Sequence, residues 1–99
     1  MKEVDDKFYD RADEHIHLSN SQISDEVGRG KVSASFMYSV ARFNAWLTAC
    51  GFENAKDMND FRDDNVKYFV DQYQTMLEEN FDDYIDNFNS YMEISDKSS

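Results

Sequence analysis

Few side chains in this chain combine a reactive type with a useful spacing. Glu14 and His17 form an E-x-x-H pair, the spacing that di-iron carboxylate bundles use. Such a centre needs a second E-x-x-H and two further glutamates from facing helices. The chain has two histidines in all, His15 and His17, so it cannot complete the set. The two are separated by about 200° around a helix and cannot chelate one ion together. His15 borders an apolar stripe as a bundle-edge residue, and His17 points outward. Cys50, the one cysteine, stands beside no basic helix N-terminus or histidine that would lower its pKa, and it reads as a small buried hydrophobe. Ser33, Ser35 and Ser39 have no base and no nucleophile elbow around them. We therefore expect no catalytic residue, no metal ligand and no cofactor, and a protein that is not an enzyme.

Four polar residues remain as candidates for an anion or partner contact. Gly28-Arg29-Gly30-Lys31-Val32-Ser33 lacks the strand and the full G-x-x-x-x-G-K-[ST] of a phosphate loop. Its local physics is that of a turn with two cations, Arg29 and Lys31, whose glycines supply positive φ before a serine-capped helix. Arg42 and Asn44 follow in the helix beyond. Asn44 falls in the middle of an apolar stripe, where an amide must find partners or cost a few kcal/mol. A single buried asparagine often sets helix register or oligomeric state, and with Arg42 and Trp46 it can instead hold a partner's carboxylate. A fifth feature is Glu78-Glu79-Asn80-Phe81-Asp82-Asp83-Tyr84-Ile85-Asp86-Asn87-Phe88. It alternates carboxylates with large apolar groups at helical spacing, the pattern of an acidic amphipathic helix that docks into a helical groove. Phe81, Tyr84, Ile85, Phe88 and Met92 are its candidate interface.

The charge is −11, from 10 basic and 21 acidic side chains in 99 residues, and it is uneven. Residues 1–31 hold five basic and eight acidic groups, residues 32–52 hold Arg42 alone, and residues 53–99 hold four basic against thirteen acidic. No cluster of Lys and Arg displaces counterions from a nucleic acid, and the charge opposes an anionic membrane leaflet. A basic protein is electrostatically admitted as a partner, and the acidity equally serves as a solubilising coat. A mean hydropathy of −0.80 comes with 40% apolar and 15% aromatic residues, enough for an ordered core. No apolar run reaches the roughly 18 residues of a membrane span, and the acidic start Met1-Lys2-Glu3-Val4-Asp5-Asp6 is unlike a signal peptide. The expected location is the cytoplasm.

The elements that position these residues are read from three glycines and no proline. β-branched alternation is missing, so the fold class is all-α: three main helices in a small bundle, one domain over 1–99. The first helix is expected over about 4–26, with Val4, Phe8, Ala12, Ile16, Ser19 and Ile23 as its apolar stripe and Gly28 as its stop. The second is expected over 33–50, capped by Ser33 and ended by Gly51. It is apolar nearly all round and reads as the central helix, with a narrow wet face at Ser35, Ser39 and Arg42. The third is expected over 55–93, opened by an Asn54–Asp57 capping pair. Its stripe changes direction by roughly 60°, from Val66, Phe69, Val70, Tyr73, Met76 and Leu77 to the Phe81–Met92 set. A break or kink near Asn80 follows, with 94–99 as a disordered tail.

The segments Gly28 to Tyr38, Ala41-Arg42-Phe43-Asn44-Ala45 and Met76 to Phe88, with Phe8-Tyr9-Asp10-Arg11-Ala12-Asp13 and Ile16-His17-Leu18 upstream, resemble a family of small uncharacterised bacterial proteins, a domain of unknown function. The resemblance spans roughly residues 7–92. It implies an all-helical bacterial domain, and it carries over no activity, substrate, cofactor or functional residue. From the residues themselves the expected role is a non-enzymatic protein-interaction module that self-associates as a homodimer, through the second helix or the 81–92 segment. The alternative is an acidic nucleic-acid mimic that occupies a basic protein.

Overall fold

A computed structural model describes residues 4–92. The described residues contain helices and turns and no strand, as the all-α reading requires. The helices are α1 (Phe8–Gln22), α2 (Arg29–Ala49), α3 (Ala55–Asp60) and α4 (Arg62–Asp86), followed by a fifth, short one over 88–92. The chain divides into two compact units at residue 60. One holds α1, α2 and nearly all of α3; the other holds α4 and the short helix. The expected tail at 94–99 lies outside the described residues.

Hydrogen bonds just outside the helices set the boundaries of α1 and α2, which differ from those expected. Before α1, Asp5 accepts the Lys7 backbone N–H at 3.0 Å and both terminal nitrogens of Arg11, at 3.1 and 2.8 Å. This brace ties the entering strand of chain to the first turn of α1. The helix ends at Gln22, before Gly28, because Ile23 is extended and Ser24 organises a turn of its own. The Ser24 hydroxyl accepts the N–H groups of Glu26 and Val27 at 3.2 and 3.1 Å, and the Ser24 N–H donates to Val27 O at 2.9 Å. Serine hydroxyls compete with helical pairing in this way.

The N-cap of α2 is Gly28, at φ −77° and ψ 170°, and not Ser33. Its carbonyl accepts the N–H groups of Lys31 and Val32, so Arg29, Gly30 and Lys31 form the first helical turn and not a loop. No glycine takes a positive φ, which corrects the reading of Gly28 and Gly30 as left-handed turn residues. The helix does stop beside Gly51, through tight turns in which Gly51 N–H donates to Thr48 O and Phe52 N–H to Ala49 O.

The capping pair at Asn54 is present: Asp57 N–H donates to Asn54 Oδ1 at 2.9 Å and Asn54 Nδ2 to Asp57 Oδ2 at 3.2 Å. The helix it opens is short. α3 closes at Asp60, Phe61 leaves helical geometry at φ −106° and ψ 11°, and α4 begins at Arg62. The expected third helix is therefore three. Nor does it break at Asn80. There the side chain folds back, Nδ2 donating to Met76 O at 2.8 Å, and the helix runs on. The interruption falls at Asn87, whose Nδ2 donates to the carbonyl and the carboxylate of Asp83, both at 3.0 Å. An asparagine bonded to the last-turn carbonyls satisfies groups the helix leaves open at its end.

In the first unit, α1 packs on α2 along small residues. Ala12 and Ser19 are half-buried, and Val32, at 5% exposed, is the one fully buried hydrophobe of the described residues. His15 lies over the α2 ring of Phe36, with centroids 6.2 Å apart and planes 33° apart. Within this unit α2 is lined by α1 along one side, and Met37, Tyr38, Phe43, Trp46 and Leu47 remain more than half exposed. Ile16 of the expected α1 stripe is also open. In the second unit, α4 is a helix about 37 Å long, and among the described residues the short helix over 88–92 follows it.

Candidate interaction surface

The open apolar residues gather on two helical faces, one cationic and one acidic. On α2, Lys31, Tyr38, Arg42 and Trp46 fall within an arc of about 80° at 3.6 residues per turn. The three cations of this helix, Arg29, Lys31 and Arg42, meet no acidic residue along its length. Tyr38, Phe43 and Trp46 are 67%, 59% and 60% exposed. The rings of Phe43 and Trp46 lie 5.5 Å apart, and with Tyr38, Ser39, Arg42 and Ala45 they frame a shallow depression of about 720 Å³. Arg, Trp and Tyr are the residue types that dominate binding energy at protein interfaces.

On α4, Leu77, Phe81, Tyr84 and Ile85 fall within an arc of about 100°, and Phe88 follows beyond the Asn87 turn. Phe81 and Phe88 are 61% and 58% exposed. The helix carries eight acidic residues against Arg62 and Lys67. Part of that charge is already engaged. Lys67 bridges to Asp71, which raises the lysine's pKa, and Gln74 Nε2 donates to Glu78 at 3.0 Å. Glu78, Asp82 and Asp86 run along one edge of the apolar arc at steps of about 6 Å. The short helix is fastened back across the Asn87 turn. Tyr91 donates its hydroxyl to Asp83 at 3.0 Å, and its ring sits 4.7 Å from that of Tyr84. The Asp83 carboxylate beside it pushes the Tyr91 phenol above its ordinary pKa.

The candidates named from the sequence are thus distributed over two faces. Arg29 and Lys31 are exposed in the first turn of α2, and Arg42 is exposed in the aromatic depression. Asn44 is half-buried and turns away from Arg42 to line a groove of about 380 Å³ between α1 and α2. Arg42 and Asn44 therefore do not form one contact. In that groove Asn44 stands with His15, Ser19, Gln22, Ser35 and Phe36, a mixed polar and aromatic lining. Phe81, Tyr84, Ile85, Phe88 and Met92 are all exposed, as an interface requires. Sequence reasoning placed Arg42 on a narrow wet face with Ser35 and Ser39 and missed its row with Tyr38 and Trp46. The four-residue spacing of an aromatic, a cation and an aromatic was the available signal.

Three comparisons bear on identity. Among curated proteins none matches the sequence. The chain is similar to protein NB7890A from Shewanella sp., whose structure was determined by NMR. The two are 39% identical, the match covers 94% of this chain and 98% of that one, and the TM-score is 0.76. The family model for a protein of unknown function, DUF3144, matches residues 8–85. The chain belongs to the DUF3144 family of small helical proteins.

Proposed function

We propose that this protein is a non-enzymatic interaction module that works as a homodimer. The observation that supports this reading most is the exposure of its rings: Tyr38, Phe43, Trp46, Phe81, Tyr84 and Phe88 are each at least half exposed, while one hydrophobe of the described residues, Val32, is fully buried. Soluble monomers seldom leave large contiguous apolar patches open, and such patches mark interfaces. Sedimentation equilibrium over a dilution series tests the reading. It predicts a reversible monomer–dimer equilibrium with a micromolar or tighter constant. A single species of one chain's mass at every concentration contradicts it.

A second reading has its own support, in the edge formed by Glu78, Asp82 and Asp86. Their steps of about 6 Å along the helix place one carboxylate for roughly every second phosphate of a DNA strand, whose axial spacing is about 3.4 Å. On this reading the protein occupies a basic site on a nucleic-acid-binding protein. Capture of such a partner that collapses as salt is raised supports it; capture indifferent to salt speaks for an apolar interface.

A further inference from the structure

We infer that the partner of the α2 face is the α4 face of a second copy, packed antiparallel. This rests on the self-association proposed above and specifies how it is built. The two faces complement each other in charge. α2 carries Arg29, Lys31 and Arg42 with no acid, and α4 carries eight acids against two cations. Opposed potentials of this kind fix register and orientation at interfaces. Two of the three cations, Arg29 and Lys31, lie in the first turn of α2, and five of the acids, Glu78 to Asp86, crowd the last third of α4. Both ends meet when the helices run in opposite directions. That arrangement also sets carboxylates beside the positive end of the α2 dipole.

The spacing agrees. With Lys31 level with Asp82 to Asp86, equal rise per residue brings Arg42 level with residues 71–75, between Asp71 and Glu78. It brings Cys50 level with residues 63–67, the first turn of α4. The apolar parts match as well. In this register Tyr38, Phe43 and Trp46 lie level with residues 67–79, where Val70, Tyr73 and Leu77 are open, and Phe81, Tyr84 and Phe88 lie level with residues 25–36; about 60% of these six rings is open. At roughly 200 Å² for each ring, their exposed parts amount to about 700 Å² in one α2–α4 contact. Each chain carries both faces, so a closed pair makes the contact twice. With every exposed part of the rings covered, the total reaches about 1,400 Å², within the range of specific, stable interfaces.

Cys50, the chain's one cysteine, is the C-cap of α2 and is exposed, not buried as its type suggested, so its thiol allows a direct test. A nitroxide is attached to Cys50 of an unlabelled chain, which is unfolded and refolded together with a 15N-labelled Cys50→Ser chain so that copies exchange. Only effects between chains are then read. The antiparallel contact predicts loss of amide signal at residues 62–70 of the labelled copy, with residues 80–88 retained. Loss at 80–88 instead overturns the antiparallel register. No loss anywhere in α4, in a sample whose light-scattering mass is dimeric, overturns the α2–α4 pairing and leaves a dimer built through other faces. A monomeric mass removes the self-association itself. Charge reversal gives a second readout. Lys31→Glu with Arg42→Glu is expected to weaken association at least tenfold, and Glu78→Lys with Asp82→Lys on the other copy to restore it in the mixture. Association unaffected by the first pair contradicts the assignment.

Discussion

Phe81 and Phe88 are large, open and placed on the acidic face, so replacing both with serine separates interface from core. The two rings are 61% and 58% exposed, which leaves each about 120 Å² that a partner can cover. At roughly 25 cal/mol per Å², full coverage contributes about 3 kcal/mol per ring. Four such rings in a dimer set a ceiling of about 12 kcal/mol. Because interfaces rarely cover every exposed atom, half that value is the working figure, about 6 kcal/mol or four powers of ten in Kd. The fold itself should lose little. Neither ring is buried, and serine and phenylalanine have similar helix propensities. The assay is sedimentation velocity of the Phe81→Ser, Phe88→Ser protein beside the parent, with circular dichroism on the same samples. The expected result is parental helicity with a dissociation constant raised by three to four powers of ten. A constant within tenfold of the parent refutes the reasoning. So does a variant that loses its helices, since the rings would then belong to the core of the chain.

Other consequences follow from single contacts. Val32→Ala removes the one fully buried hydrophobe of the first unit, and is expected to cost about 2 kcal/mol, read as a lower urea midpoint. Asn54→Ala removes the cap that holds Asp57 N–H at 2.9 Å; a loss of about 1 kcal/mol, with helix fraying confined to 55–60 by amide exchange, is the expected outcome. Arg11 holds the Asp5 carboxyl below its ordinary value of 3.8. The folded chain therefore keeps Asp5 ionised where the unfolded chain protonates it. Its contribution is complete above that ordinary value and fades as pH falls through the lower, folded one. Asp5→Asn should flatten that part of the acid dependence of thermal stability, and an NMR titration showing an ordinary Asp5 would contradict the brace. Tyr91, raised by Asp83, should be among the last phenols to ionise by absorbance, and Asp83→Asn should bring it down.

How much of this was legible beforehand depended on what each residue's signal competes with. The all-α class followed from helical spacing of apolar residues and from missing strand alternation, both properties of long stretches. The Asn54–Asp57 cap was legible because its reciprocal bonding lies within four residues. The end of α1 was not, since Gly28 is the louder signal in composition while the Ser24 hydroxyl, four residues earlier, forms the turn. Gly28 itself acts by extended geometry at the start of α2, which its type alone does not distinguish from a left-handed turn. The direction of the stripe does change beyond residue 80, yet an asparagine inside a helix can bond back to the carbonyl four residues earlier. Asn80 does so within α4, and Asn87 does so at its end. Sequence spacing does not tell these two apart. The candidate faces were half legible. The 81–88 stripe announced itself by its period, whereas Arg42 and Trp46 were grouped with Asn44, which points the other way around α2, and Tyr38 was not named with them.

The central claim is that two copies of this chain close their open faces on each other. Its most direct test is the absolute mass of the unmodified protein by size-exclusion chromatography with light scattering, at low and at high salt. The account predicts about 23 kDa at both, twice the chain's 11.7 kDa, because the interface is mainly apolar and salt does not dissolve it. A mass near 12 kDa at both salts contradicts it.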